Sequence, residues 1–240
     1  MSTVTAPVAR SSSRDAWERR GPWTAIAFVV FFLASVVVSN PPDDSAPDAR
    51  WLASYATSGK QASHLATGVF LILASLCLAG FLTHLWTRIA RTRPSQTISP
   101  LPIVAAGIAA ACMAVGGALM GVVGGDMLLG SSPLPGADLL RFCNDLGFVM
   151  VGVPGMLAAA LSIACLGIQA HTAGIFGTRL RAFSLVVAVI LLASLEFIPI
   201  AALLIWLLVV GIALLRGREA RPHPRPSARQ STSGGGPTER

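Results

Sequence analysis

Five polar side chains stand at or beside long apolar runs, where their chemistry would count: His64, Asp126, Asn144, Asp145 and Glu196. Carboxylates and an imidazole gathered at one depth could bind a proton, a cation or an amine. Ionisable groups within lipid-length helices are candidates for function by default, because a charge there is costly to keep. These groups, however, lie near the ends of the runs, where water is available. Asp138, Arg141 and Asp145 are spaced i, i+3 and i+7, so an ion-pair ladder on one helix face competes as an explanation. The macrodipole also favours Asp145 if it opens a helix. Asn144 and Asp145 form the strongest pair, because a helix beginning earlier, near Ala137, would carry both into a bundle.

Other chemistries find less support. His84 and His171 end their apolar runs on the same side and could in principle ligate one haem iron. His64 and His84 lie about 30 Å apart on one helix, so each would need a separate partner. Cys77, Cys112, Cys143 and Cys165 show no CxxC or metal-ligand spacing and read as small packing residues. There is no GxSxG, HExxH or P-loop, and the Gly-x-Ser-Gly motif with a His partner found in rhomboid proteases is missing. No catalytic residue, metal or cofactor is expected.

The elements that must position these groups follow from composition. The chain has 240 residues, of which 53% are hydrophobic and only 12% charged. Its mean hydropathy is +0.67. A water-soluble domain carries about 25% charged residues. The apolar residues also cluster in runs as long as a hydrocarbon core of about 30 Å demands of a helix. A membrane barrel would show segments of about ten residues with alternating polarity. The expected fold is therefore all-α, a polytopic transmembrane helix bundle.

Six spans are expected, near 23–39, 64–86, 102–125, 146–170, 180–195 and 199–215. The last two form one apolar stretch interrupted by "LEFIP". A single helix over that stretch would be about 54 Å long, far more than a bilayer needs. Glu196 and Pro199 break it, since proline starts helices well and continues them badly. Residues 1–20 and 217–240 read as disordered tails, the second strongly basic.

Charge sets the orientation. The net charge of +7 comes from 17 arginines and one lysine against 11 acids. The arginine excess, with much Ala and Gly, fits the codon usage of a G+C-rich bacterium. The basic residues lie at span ends and in tails, which suits lipid headgroups rather than nucleic acid. Arg10, Arg14, Arg19, Arg20, Arg88, Arg91, Arg93, Arg179, Arg181 and the six arginines from Arg216 onward fall on one side of a six-span map. Only Arg50, Lys60 and Arg141 fall on the other. The positive-inside rule then places both termini in the cytoplasm of a multi-pass protein of the cell (inner) membrane.

The loop "SNPPDDSAPDARWLASYATSGK" is thereby outside. Ser45 to Asp48 resembles a capping box with proline in the first turn. Gly59 is placed to end a short helix over about 46–58. Trp51, Leu52 and Tyr55 share one face of it, with the aromatics expected at headgroup depth. A cleaved signal is the alternative. It would use the basic start, the first apolar run and a peptidase site at Val37 and Ser39, leaving five spans in the same orientation.

Two features concern packing. "GGALMGVVGGD" places Gly117, Gly121 and Gly125 four apart, a face on which two backbones can approach closely. That face serves either packing within the bundle or homo-oligomerisation. Pro154, between Gly152 and Gly155, should kink the fourth span.

"NPPDDSAPDARWLASYATSGKQASHLATGVFLILASLCLAGFLTHLW" resembles the start of a broad set of uncharacterised actinobacterial membrane proteins. "GADLLRFCNDLGFVMVGVPGMLAAALSIACLGIQAHTAGIF" is similar to their fourth span, and Trp206 and Arg216 match the end of their last. The likeness, over about 20–216, implies a six-helix bundle and supplies no activity. The lipid bilayer is the expected partner, with a homo-oligomer or another membrane protein beside it. The residues favour a non-enzymatic structural or complex subunit. A small-solute or ion permease using the acids is the alternative, and a haem or redox protein the remote one. A reporter fused behind Arg240 should be active only in the cytoplasm; activity outside would overturn the map.

Overall fold

A segment surrounded by hydrocarbon can satisfy its own peptide groups only as a helix, or in a closed barrel with its neighbours. The computed structural model describes residues 11–43, 45–92, 98–130, 132–193 and 198–219, and among these the regular elements are all helices. They are α1 (Ser11–Val38), α2 (Asp48–Ala53), α3 (Ser58–Thr92), α4 (Leu101–Gly130), α5 (Ala137–Met150), α6 (Met156–Thr172), α7 (Thr178–Leu192) and α8 (Ile198–Glu219). A π turn, Val151–Gly155, joins α5 to α6.

Five stretches are long and apolar enough to cross a membrane: Arg20–Val38, Ser58–Thr92, Leu101–Gly130, Ala137–Thr172 and Ile198–Arg216. With 15 residues, α7 rises about 22 Å, short of a hydrocarbon core of about 30 Å. Valines, leucines and isoleucines face outward around the molecule, among them Val37, Leu76, Val122, Val189 and Ile205. Apolar exposure on that scale suits lipid contact.

Several boundaries differ from those the sequence suggests. The third element begins at Ser58, six residues before His64, and takes Gly59 into its first turn. Gly59 therefore ends nothing, and α2 is shorter than expected. Among the described residues the positive-φ glycine is Gly174, at 71°. There the Ile175 N–H donates to the Ala170 carbonyl and the Gly174 N–H to that of His171, each at 2.9 Å. This Schellman arrangement closes α6. The fourth apolar stretch begins at Ala137 rather than Leu146. Ser11 already starts α1, inside what reads as a tail, and the helix continues through Pro22. Residues 1–10 and 220–240, the remainder of the expected tails, lie outside the described residues.

Pro154 acts through the π turn. A proline removes the N–H that the carbonyl four residues earlier would use. In the i→i+5 register that carbonyl, on Met150, meets the N–H of Gly155 instead.

Among the described helices, α3 and α4 share the most extensive contact. A Cβ added to Gly68 would strike the Gly117 carbonyl oxygen and lie 2.8 Å from Gly121 Cα. One on Gly117 would lie 2.8 Å from Leu71 Cβ, and one on Gly124 would lie 2.6 Å from the Gln61 oxygen. Gly125 sits at the rim, where its nearest neighbour is the flexible end of Leu65 at 3.1 Å. On another face of α4, Gly116 meets the Gly147 carbonyl of α5, 2.7 Å from an added Cβ.

Larger side chains fill the rest. Phe81 of α3 packs edge-on against Trp206 of α8, with centroids 6.0 Å apart. The Trp206 indole N–H donates to Ser184 Oγ of α7 at 2.9 Å, and the Ser184 hydroxyl donates to the Leu180 carbonyl. Gly167 of α6 closes on the same serine, whose Cβ would lie 2.8 Å from an added methyl.

Three substitutions test this packing. Gly68→Ala should lower unfolding stability in detergent by about 1–3 kcal/mol through overpacking. Gly107→Ala, where an added Cβ meets nothing within 4 Å, should not. Ser184→Ala removes the acceptor of a buried indole N–H and should cost about 1–3 kcal/mol in the same assay.

Candidate functional site

The described polar groups gather most densely where the α1–α3 loop folds over the beginning of α5. Ala46, Trp51, Tyr55, Ala137 and Leu140 form a small apolar cluster of their own, separate from the main core. Trp51 is 0% exposed and Tyr55 3%. The aromatics expected at headgroup depth both turn into the protein. Leu140 and Ala137 of α5 supply the apolar surface that takes them in, which outweighs an interfacial position for the rings.

Arg141 fastens this cap. Its Nη2 donates to the Ala46 carbonyl and to Asp48 Oδ1, each at 2.7 Å. Its guanidinium lies over the Trp51 ring, 5.9 Å from the centroid. Asp138, one turn earlier, is 3.5 Å away and fully solvated. The ladder expected along α5 is therefore half formed. Arg141 spends its short contacts on the loop, 95 residues earlier in sequence for Ala46, and Asp145 pairs with Asn144 instead.

Behind Tyr55 stands His64. The rings are parallel, 3.9 Å apart with 5° between planes. Burial, and then the neighbouring Cys143 sulfur, push the Tyr55 phenol up to about 12. Further ties hold the loop. Lys60 Nζ donates to the Ala53 carbonyl at 2.7 Å, Gln61 Nε2 to that of Tyr55 at 2.9 Å, and Ser63 Oγ to that of Val38 at 2.6 Å. Between the loop and the first turns of α3 lies a pocket of about 330 Å3, lined among others by Asn40, Pro42, Arg50, Lys60, Ser63 and His64.

The residues singled out from the sequence scatter. His64 enters this pocket. Asp126 is exposed near the end of α4, beside an open groove of about 600 Å3 between α3 and α4 that Gly68, Ile72, Gly117 and Gly121 also line. Asn144 is half-buried and donates to Asp145 Oδ1 at 3.3 Å, while Asp145 is exposed. The early start of α5 does not carry this pair into the core. At 100° per residue Asp145 points about 140° away from Leu140, and the buried face of α5 is Ala137, Leu140 and Gly147. Glu196 lies outside the described residues. Among the described residues no three His, Cys, Asp or Glu side chains converge as a metal site would require.

The histidines of the haem reading have structural settings. His171 Nδ1 is 3.0 Å from the Phe176 carbonyl, beside the Schellman turn. His84 is buried in α3 against Gly21 of α1, where an added Cβ would fall on its ring. All four cysteines are free and half-buried.

Fold and site together define an all-helical protein with five helices fit to cross a membrane and a tightly tied, partly polar cap at one end. No protein-family model, curated protein or solved structure matches the chain.

Sequence reasoning missed the Arg141–Asp48 tie and the convergence of Arg50 with Lys60. The usable signal was local scarcity: Arg50 and Lys60 are the only basic residues between Arg20 and Arg88, and Arg141 the only one between Arg93 and Arg179, which makes each informative. Tyr55, the chain's single tyrosine, allows a direct check. The near-ultraviolet absorbance of tyrosinate should appear with a midpoint near 12 rather than 10. The fold holds this proton above the pH at which an unfolded chain releases it. Stability should therefore be full below about pH 10 and fall as pH rises toward about 12. A midpoint near 10 would show the ring to be solvated.

Proposed function

We propose that this protein is a non-enzymatic, membrane-embedded helical bundle that acts as a structural element or as a subunit of a membrane complex. The observation that carries the reading is the interior of the bundle. Leu78, Phe81, Leu82, Leu85, Met113, Met156, Ile163 and Leu166 are all essentially unexposed and belong to one apolar cluster. Three serine hydroxyls buried with them serve the helices. Ser75 Oγ donates to the Ile72 carbonyl, Ser162 Oγ to that of Pro102 across α6 and α4, and Ser184 Oγ to that of Leu180. An apolar interior whose serine hydroxyls donate to backbone suits packing rather than passage.

In this reading the chain crosses the cell (inner) membrane six times, with α7 as a short crossing paired to α8 and both termini in the cytoplasm. The fifteen arginines that share one side of that map support it, as does the apolar face of Val187, Ala188 and Leu191 that α7 buries. The short helix α2 then lies on the outer surface. The likeness to uncharacterised actinobacterial membrane proteins accords with six crossings.

The permease alternative needs Asp126, Asp145 and Glu196 along a path. Asp126 and Asp145 are exposed, so it lacks support where it needs it most. Homo-oligomerisation through Gly117 and Gly121 is likewise disfavoured, because Gly68 already occupies that face. A partner would meet the outward valines and isoleucines, such as Val104, Ile108, Val115 and Val122 of α4. Full-length protein extracted from its native membrane in mild detergent, after brief cross-linking, should carry a second chain or a second copy. A strictly monomeric species without a cross-linked partner would refute the proposal.

A further inference from the structure

The pocket between the α1–α3 loop and α3 is lined by Arg50 and Lys60, the two basic residues that the sequence has between Arg20 and Arg88. Arg141 of α5 reaches the same loop through the Ala46 carbonyl. Arg141 is neutralised by Asp48 at 2.7 Å. Arg50 and Lys60 are not: among the described residues neither forms an ion pair, and no carboxylate lines the pocket they share with His64 and Asn40.

The walls are fixed. Lys60 Nζ gives one N–H to the Ala53 carbonyl at 2.7 Å, which holds the ammonium in place and leaves two donors. Ser54 Oγ and Ser63 Oγ are tied to the Trp51 and Val38 carbonyls, each at 2.6 Å. Tyr55 braces one face of the imidazole. Two like charges beside one small pocket repel each other while it is empty and are relieved by an anion within it. The arginine offers a planar fork that fits phosphate in bidentate fashion, and the lysine adds a point charge.

Depth adds to the argument. Asn40 follows the last residues of α1, and His64 stands on the second turn of α3, just before its apolar stretch. The pocket therefore lies at the boundary between an apolar belt and water, the level of lipid phosphates.

We propose that this pocket binds a phosphate-bearing anion, whether a lipid headgroup or a soluble phosphate. The proposal goes beyond the packing role and stands without it. The test uses full-length protein in mild detergent, with phosphatidylglycerol or phosphatidylcholine titrated in and adducts counted by native mass spectrometry. In parallel, inorganic phosphate is titrated against the unfolding temperature.

One saturable phosphatidylglycerol adduct, preferred over phosphatidylcholine, is expected and identifies a lipid headgroup. A response to inorganic phosphate alone identifies a soluble ligand. Either should weaken about tenfold or more in the Arg50→Gln/Lys60→Gln double variant. The basic tail contributes equal background to both proteins. Gly59→Trp provides a second probe, since Gly59 lines the pocket and an added Cβ there meets nothing within 4 Å. It should block binding without disturbing a packed contact, and it serves if the double variant fails to fold. Equal phosphatidylglycerol binding by wild type and variants, with no response to phosphate, would overturn the proposal.

Discussion

The approach of α3 to α4 at Gly68, Gly117 and Gly121 is the constraint on which the bundle depends. Lipid tails are as apolar as leucine, so nothing like the hydrophobic effect in water pulls two such helices together. What remains is dispersion between closely fitted surfaces, and that decays steeply with any gap. Where the three glycines meet, backbone touches backbone, and one added methyl would fall on a carbonyl oxygen. The same device recurs on a second face of α4, where Gly116 admits Gly147 of α5. One helix can therefore serve two neighbours at close range. The larger residues, Phe81 and Trp206 above all, fill the wider gaps toward α1 and α8.

The cap at the loop end works by a different logic. Its helix α2 is too short to be stable alone. Long-range contacts hold it: Trp51 and Tyr55 buried against α5 and α3, with Arg141 binding the loop's backbone and Asp48 together. On the Asp48 side this ion pair is open to solvent, so its worth lies more in fixing geometry than in raw stability. The guanidinium also shields the Trp51 ring, so one arginine serves charge, backbone and aromatic partners at once. That rigidity gives the adjoining pocket fixed walls.

Much of the fold was legible in the residues. Helices near all six expected spans are present, because run length and hydropathy act locally through backbone hydrogen bonding in lipid. By length, five are fit to cross, and α7 falls short. Boundaries were less legible. Gly59 to Ser63 is polar and separates the expected short helix from the expected span, yet a polar turn can precede an apolar run within one helix, and α3 begins at Ser58. Gly59 carries the signature of a helix end but lies in a first turn, whereas Gly174 bears the left-handed conformation. Sequence identifies residues able to adopt such a conformation, not those required to.

The candidate site was hardly legible. Asn144 and Asp145 stand out as polar letters in an apolar stretch, but their direction depends on the helical phase of α5, and that is set by which face Leu140 and Gly147 bury. Arg50, Lys60 and His64 look unrelated until the α1–α3 loop closes over the first turns of α3.

By itself, the sequence determined that this chain is helical and apolar over lipid-length stretches, since these properties arise residue by residue or from sums along the chain. Only the tertiary structure decided which glycines touch, which acids face outward, and which cations share a pocket. Those facts depend on the rotation of each helix about its axis, and that angle is fixed by neighbours far away in the chain.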